Sequence, residues 1–177
     1  MEITKLGKNC FRIKGKKAII LIEPSSEIKN LTAHIVITSS TTETQVKGEP
    51  VIIFGPGEYE IRGITILGFR EKFGKFYKID GDGFSVLYVS DLQENIPEEK
   101  LEIFNHVDIL LLPVGKPKIA SALVSELEPT MIILTDEEKV EEFLKEVGTE
   151  KVEKLDKLVF TKEELPEERK IVLLKSG

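Results

Sequence analysis

Histidine is scarce in this chain, with His34 and His106 the two examples among 177 residues. Cysteine is scarcer still. Cys10 stands alone, so no disulfide can close within the chain, and a reducing, cytoplasmic setting is expected. Glutamine is limited to Gln45 and Gln93 while Lys and Glu abound, a bias of the kind found in heat-adapted proteins. No apolar run approaches the ~20 residues of a membrane helix. The opening Met1-Glu-Ile-Thr-Lys5 has neither the basic nor the apolar region of a secretion signal, so no membrane association is expected. An excess of positive charge is missing too: 31 Asp and Glu face 25 Lys and Arg, for a formal charge of -6. That argues against a nucleic-acid partner, because phosphate contacts need a basic face.

What is present suits one globular domain over residues 1–177. Hydrophobic residues make up 41% and charged residues 32%, too apolar for disorder and enough for a sizeable core. Residues 2–6 and 9–13 alternate as strands, Gly15-Lys16-Lys17 reads as a turn, and residues 18–22 form a β-branched run. Further strands are expected at 33–38, 51–54, 59–67, 76–79 and 85–89, with Asp80-Gly-Asp-Gly83 a hairpin signal. After Asp91 the pattern changes. Helices are expected at 97–104, 119–127 and 137–147, the last closed by Gly148. They alternate with apolar strands at 107–113 and 130–134, and strands at 157–161 and 170–175 end the chain. A β-rich half followed by alternating helices and strands implies an α/β protein with sheets covered by helices.

The strand at 33–38 empties into Val36-Ile-Thr-Ser-Ser-Thr-Thr-Glu-Thr44, a loop of hydroxyls with one carboxylate. Loops that follow core strands are where α/β proteins keep their chemistry. Ser39, Ser40, Thr41 and Thr42 could hold a ligand through hydroxyls and exposed amides; the plainer reading is a solvent-exposed turn in which they satisfy backbone donors. Gly55-Pro-Gly57 lacks the pattern of a phosphate loop and runs into a strand, so it reads as a tight bend. Cys10 reads as a small core residue, and both histidines as strand-end or loop residues.

Several stretches taken together resemble the metallo-β-lactamase fold, in its small lactonase-like branch of metal-dependent hydrolases. They are Ile3-Thr-Lys-Leu-Gly-Lys-Asn-Cys-Phe11, Ile20-Leu-Ile-Glu-Pro24, Val51-Ile-Ile-Phe-Gly-Pro-Gly-Glu-Tyr-Glu-Ile-Arg-Gly-Ile-Thr65, Val86-Leu-Tyr-Val-Ser-Asp-Leu92, Val107-Asp-Ile-Leu-Leu-Leu-Pro-Val-Gly115 and Leu127-Glu-Pro-Thr-Met-Ile-Ile-Leu134. The resemblance implies a compact four-layer αββα sandwich, two sheets face to face with helices outside. It also implies a pair of metal ions, usually zinc, at one edge, generating hydroxide at neutral pH.

The family's ligand loop, Thr-His-x-His-x-Asp-His, laid on this chain from Thr38, falls on Ser39, Thr41, Glu43 and Thr44. The His of the third segment would follow Gly68, yet residues 69–77 contain none, and the last His falls on Asp136. Asp91 alone survives, and neither His34 nor His106 matches a ligand position. A neutral hydroxyl replaces imidazole poorly at zinc. The resemblance therefore implies a fold kept and a dinuclear zinc site lost. The expected protein needs no cofactor, is non-catalytic, and serves in binding a small molecule or a protein, or in assembly.

The alternative is a hydrolase of small phosphorylated or lactone-type substrates. It would use Asp91, Glu43 and Asp136 around Mg²⁺ or Mn²⁺, cations that all-oxygen sites suit. Asp136 has a simpler reading as the N-cap of the helix beginning at Glu137.

Overall fold

The computed structural model describes residues 1–39 and 46–177. Its strands and helices follow in chain order as β1 (Glu2–Lys5), β2 (Phe11–Lys14), β3 (Ile19–Ile22), β4 (Leu31–Thr32), β5 (Ile35–Ile37), β6 (Val46–Lys47), β7 (Val51–Ile53), β8 (Gly57–Ile61), β9 (Ile64–Glu71), β10 (Gly74–Gly81), β11 (Phe84–Leu92), α1 (Glu98–Leu101), β12 (Ile109–Leu112), α2 (Pro117–Leu127), β13 (Met131–Leu134), α3 (Val140–Val147), β14 (Glu153–Leu155), β15 (Leu158–Val159) and β16 (Lys170–Leu174). Short 3-10 turns cover Glu102–Phe104 and Lys162–Glu164.

One sheet has the order β15-β1-β2-β3-β5-β7 and the other β14-β16-β13-β12-β11-β10-β9-β8. Both are mixed: hairpins make the antiparallel part of each, while β3-β5-β7 and β11-β12-β13-β16-β14 run parallel. The sheets face each other across one core, where Ile3, Phe11, Ile20 and Ile35 of the first meet Ile66, Val86, Ile109 and Ile133 of the second. Period-two alternation explains the layering. In β12, Ile109 and Leu111 point between the sheets, while Leu110 and Leu112 point to the other face, under the helices. A strand buried on both faces reads as an unbroken apolar run.

The helices lie on that second sheet. α2 buries Pro117, Ala120, Leu123 and Val124, the i, i+3, i+4 spacing of an inward stripe, and α3 adds Phe143 and Leu144. The outer face of the first sheet, at Leu21, Ala33 and Val36, is covered among the described residues by Leu31 and Val46 of the small β4–β6 pair. The α/β sandwich expected from the resemblance is thus present, with its helical layer on the C-terminal sheet. Among the described residues no helix is long and apolar enough to cross a membrane.

The helix expected from Glu137 begins at Val140. Lys139 precedes it with φ 55°, a left-handed residue that turns the chain before the first helical turn. Asp136 therefore does not cap α3. Its Oδ2 instead accepts the N–H of Val114, 3.0 Å away.

Candidate functional site

In both sheets the parallel strands point their C-terminal ends the same way, and a cleft of about 750 Å³ opens there. It lies outside the carboxyl ends of the strands, where α/β sheets place ligands. Glu23 after β3, Ser39 after β5, Tyr88 and Ser90 in β11, Pro113 after β12, and Thr135 and Asp136 after β13 line it, with the β1–β2 turn forming one wall.

Glu23 turns back into this space with φ 45°. Its two carboxylate oxygens each accept the N–H of Ser39 at 3.0 Å, and Oε2 also accepts the hydroxyls of Ser39 at 3.1 Å and Thr38 at 3.4 Å. The first donors of the hydroxyl loop thus meet a carboxylate of the same chain. An acid before a proline at a strand end gives no hint of this partner, and the sequence reading missed it. Ser40, Thr41, Thr42 and Glu43 lie outside the described residues.

Asp136 sits at the end of β13 and faces two hollows, the main cleft and a smaller one of about 270 Å³ that also contains Asp91. Its Oδ1 is buried and has no hydrogen-bond partner among the described residues. Burial pushes this carboxyl above its ordinary range. The N–H groups of Val114 and Glu138 oppose that, the Glu138 charge adds to it, and the Lys5 charge opposes it.

A folded state that holds this proton more tightly than the unfolded chain gains stability at low pH. The gain is complete below the unfolded value of about 4 and disappears as pH rises through the folded value. Urea melts from acid to neutral pH should therefore show wild-type stability falling relative to Asp136→Asn as pH rises, then running parallel to it. A flat difference across the range would refute the shift.

Asp91 does not line the main cleft. The β10–β11 register shifts between Lys75 and Phe76, so that Lys75 faces Asp91 and Phe76 faces Val89, leaving Ser90 as an extra residue. A bulge of this kind re-aims the side chains beyond it. Asp91 accepts a short hydrogen bond from Gln93 Nε2, and Gln93 in turn accepts from Lys116 Nζ at 2.7 Å through Oε1 and 3.0 Å through its carbonyl. Asp91 and Asp136 share the smaller hollow, and Ser39 and Asp136 share the larger one.

Cys10 lines the cleft as a buried thiol, pushed up to about 11 mainly by burial, as a core cysteine should be. Tyr88 is likewise buried and pushed up, mainly by desolvation and next by the Glu23 charge.

Residues 2–136 match the Beta-lactamase superfamily domain. The chain belongs to that superfamily. Its structure is similar to that of a Thermotoga maritima protein provisionally described as a Zn-dependent hydrolase of the metallo-beta-lactamase superfamily. The two share 28% identity over 99% of both chains, with a TM-score of 0.85. The metallo-beta-lactamase fold protein YhfI of Bacillus subtilis is similar in fold alone, at 9% identity and TM-score 0.56 over 99% of this chain and 97% of YhfI. No curated protein matches the sequence.

Against the zinc chemistry of the superfamily, the nitrogen donors are at the wrong end. His34 precedes β5 and uses Nδ1 to accept the N–H of Ile19 at 2.9 Å. His106 precedes β12, with Nε2 3.1 Å from Asp108. Both stand at the starts of strands whose far ends carry Ser39 and Pro113. Among the described residues no group of three or more His, Cys, Asp or Glu side chains could hold a metal ion. The described residues do not fit a dinuclear zinc centre.

Proposed function

We propose that this superfamily member is a non-catalytic binding protein, whose cleft holds a small ligand without cleaving it. The observation that carries this reading is the placement of both imidazoles at the opposite end of the strands from the cleft. Three hydroxyl-bearing residues in the loop that in the family holds metal, and Asp136 where the family has its last His, agree with it. A reducing cytoplasm suits its single buried thiol.

The test is elemental. Protein purified without added metal should carry far less than one zinc per chain by mass spectrometry, and should leave generic lactone and phosphodiester substrates intact. Two tightly held zinc ions per chain, or turnover that follows zinc content, would overturn the proposal.

A second reading follows from Asp136 Oδ1, which meets no hydrogen-bond donor among the described residues and is the kind of oxygen a hard cation takes. In it Asp136, Asp91 and Glu43 bind Mg²⁺ or Mn²⁺ and the protein hydrolyses small phosphorylated or lactone-type substrates; the Thermotoga maritima relative is described as a hydrolase, though a Zn-dependent one. Mn²⁺-dependent turnover abolished by Asp91→Asn would establish it, and the same rate in that variant would dismiss it.

A further inference from the structure

Four large apolar side chains stand exposed among the described residues, and three of them fall on one short stretch: Val51 at 46%, Ile52 at 58% and Phe54 at 50%. They belong to β7 and the residue after it. β7 is the last strand of the first sheet and pairs, among the described residues, with β5 alone. An open apolar edge invites another strand, and proteins ordinarily blunt it with charge. The neighbouring edge of the second sheet is blunted in this way, because β8 presents the exposed carboxylates of Glu58 and Glu60. β7 carries no charge at all.

The backbone of β7 specifies what fits it. Val51 donates its N–H to the carbonyl of His34 at 2.9 Å, and Ile53 accepts the N–H of Thr38 at 3.1 Å. Those two residues face β5. The residue between them in a parallel ladder turns the other way, which leaves the N–H and C=O of Ile52 on the open edge. Its side chain lies level with Val36 on the outer face of the sheet, and Phe54 follows on that face.

An antiparallel copy of β7 completes this edge. Centred on Ile52, the pairing sets Ile52 against the partner's Ile52, Val51 against the partner's Ile53, and Phe54 against the partner's Pro50. Every position in that window is apolar on both sides, and Glu49 falls opposite the partner's Gly55, so no like charges meet. Pro50 and Pro56 have no N–H and end the ladder on either side. A two-fold of this kind consumes both open edges, so assembly stops at two copies. The other end of the sheet, where Val159 is exposed on β15, would give a head-to-tail contact that leaves free edges and grows filaments.

We propose that β7 is the interface of a weak two-fold dimer, two copies joined antiparallel at Ile52 into one continuous sheet. Three half-exposed side chains from each copy cover less than the roughly 1,000 Å² of stable complexes, which makes the association concentration-dependent. None of the three lines the cleft, so the dimer is independent of what the cleft binds.

Sedimentation of the full chain from about 1 μM to about 1 mM, a span that covers weak complexes, tests it. The mass should rise from the 19.9 kDa of one chain towards twice that value. Ile52→Lys and Ile52→Glu should each remain at the mass of one chain, with wild-type Tm. An equal mixture of the two should dimerise again, because opposite charges then meet across the two-fold. Val159→Lys should dimerise as wild type does. If Ile52→Lys melts early, Phe54→Ser replaces it and should raise Kd at least about tenfold. The dimer is overturned if wild type stays a single chain throughout, if association survives unchanged in the Ile52 and Phe54 variants, if the mixture stays monomeric, or if Val159→Lys abolishes association.

Discussion

Asp108→Ala is expected to cost about 3–4 kcal/mol, roughly a 10 °C fall in Tm. Asp108 is 3% exposed, at the start of β12, and three groups converge on it. Oδ2 accepts the N–H of Ser85 at 2.8 Å, both oxygens lie 2.7 Å from Lys162 Nζ, and His106 Nε2 is 3.1 Å from Oδ1. Removing the carboxylate leaves a buried backbone donor without an acceptor, about 1–3 kcal/mol alone, and frees the lysine that ties the C-terminal turn to the sandwich. Lys162 also lies 5.4 Å from the centre of the Phe84 ring, which packs edge-on against Phe160. The loss should therefore spread to β15. Lys162→Met is the control: its side chain is 42% exposed, so it should cost about 1 kcal/mol or less. Urea melts with an unchanged slope and a lowered midpoint would show the effect, and equal losses in the two variants would contradict it.

Much of the fold was legible because burial leaves periodic marks. β12 and β13 are apolar on both faces and appear as unbroken runs, and Gly148 ends α3 with φ 79°, as its position after the helical pattern suggests. What escaped was set by contacts distant in sequence. Residues 59–67 read as one strand, yet the chain reverses at Arg62 (φ 56°) and Gly63 (φ 70°) to form the β8–β9 hairpin. Arginine is an unusual choice for a left-handed turn position. Here Arg62 Nε donates to the carbonyl of Lys17 at 3.1 Å and Lys17 Nζ donates to that of Gly63 at 3.3 Å, a tie between the two sheets that no local pattern reveals. β14 escaped for another reason: Glu153-Lys-Leu155 is an exposed polar edge, held by pairing with β16.

The candidate site divides in the same way. Missing histidines are visible in composition alone, whereas the partners of Glu23 and Asp136 follow other strands, and Asp91 meets Gln93 two residues on because of the bulge. Lys5, outside the cleft lining, alternates with Ile3 on the buried face of β1, a place where lysine departs from the apolar pattern.

Gly74→Ala should be the other severe substitution, at about 4 kcal/mol. Gly74 opens β10 with φ 151°, opposite both Glu71 and Leu92. A Cβ built there would run into the carbonyl oxygen of Asp91 and come within 2.9 Å of the Phe76 ring. Phe76 is fully buried among Phe73 and Phe104 and cannot swing away. The Asp91 carbonyl cannot retreat either, because Gln93 donates its N–H to Phe73 at 2.9 Å across the same turn. Overpacking and unfavourable φ therefore add, each costing about 1–3 kcal/mol. Gly83 separates the two effects. Its φ is 83° but nothing lies within 4 Å of an added Cβ, so Gly83→Ala should show the conformational cost alone, about 1 kcal/mol. Because the bulge at Ser90 is built on this close approach, the surviving Gly74→Ala fold should also lose the Asp91–Gln93–Lys116 contact. In two-dimensional NMR, the side-chain amide of Gln93 should then move towards its solvent-exposed position. An unshifted Gln93 amide together with a loss under 1 kcal/mol would mean that glycine is not required where β10 meets β11.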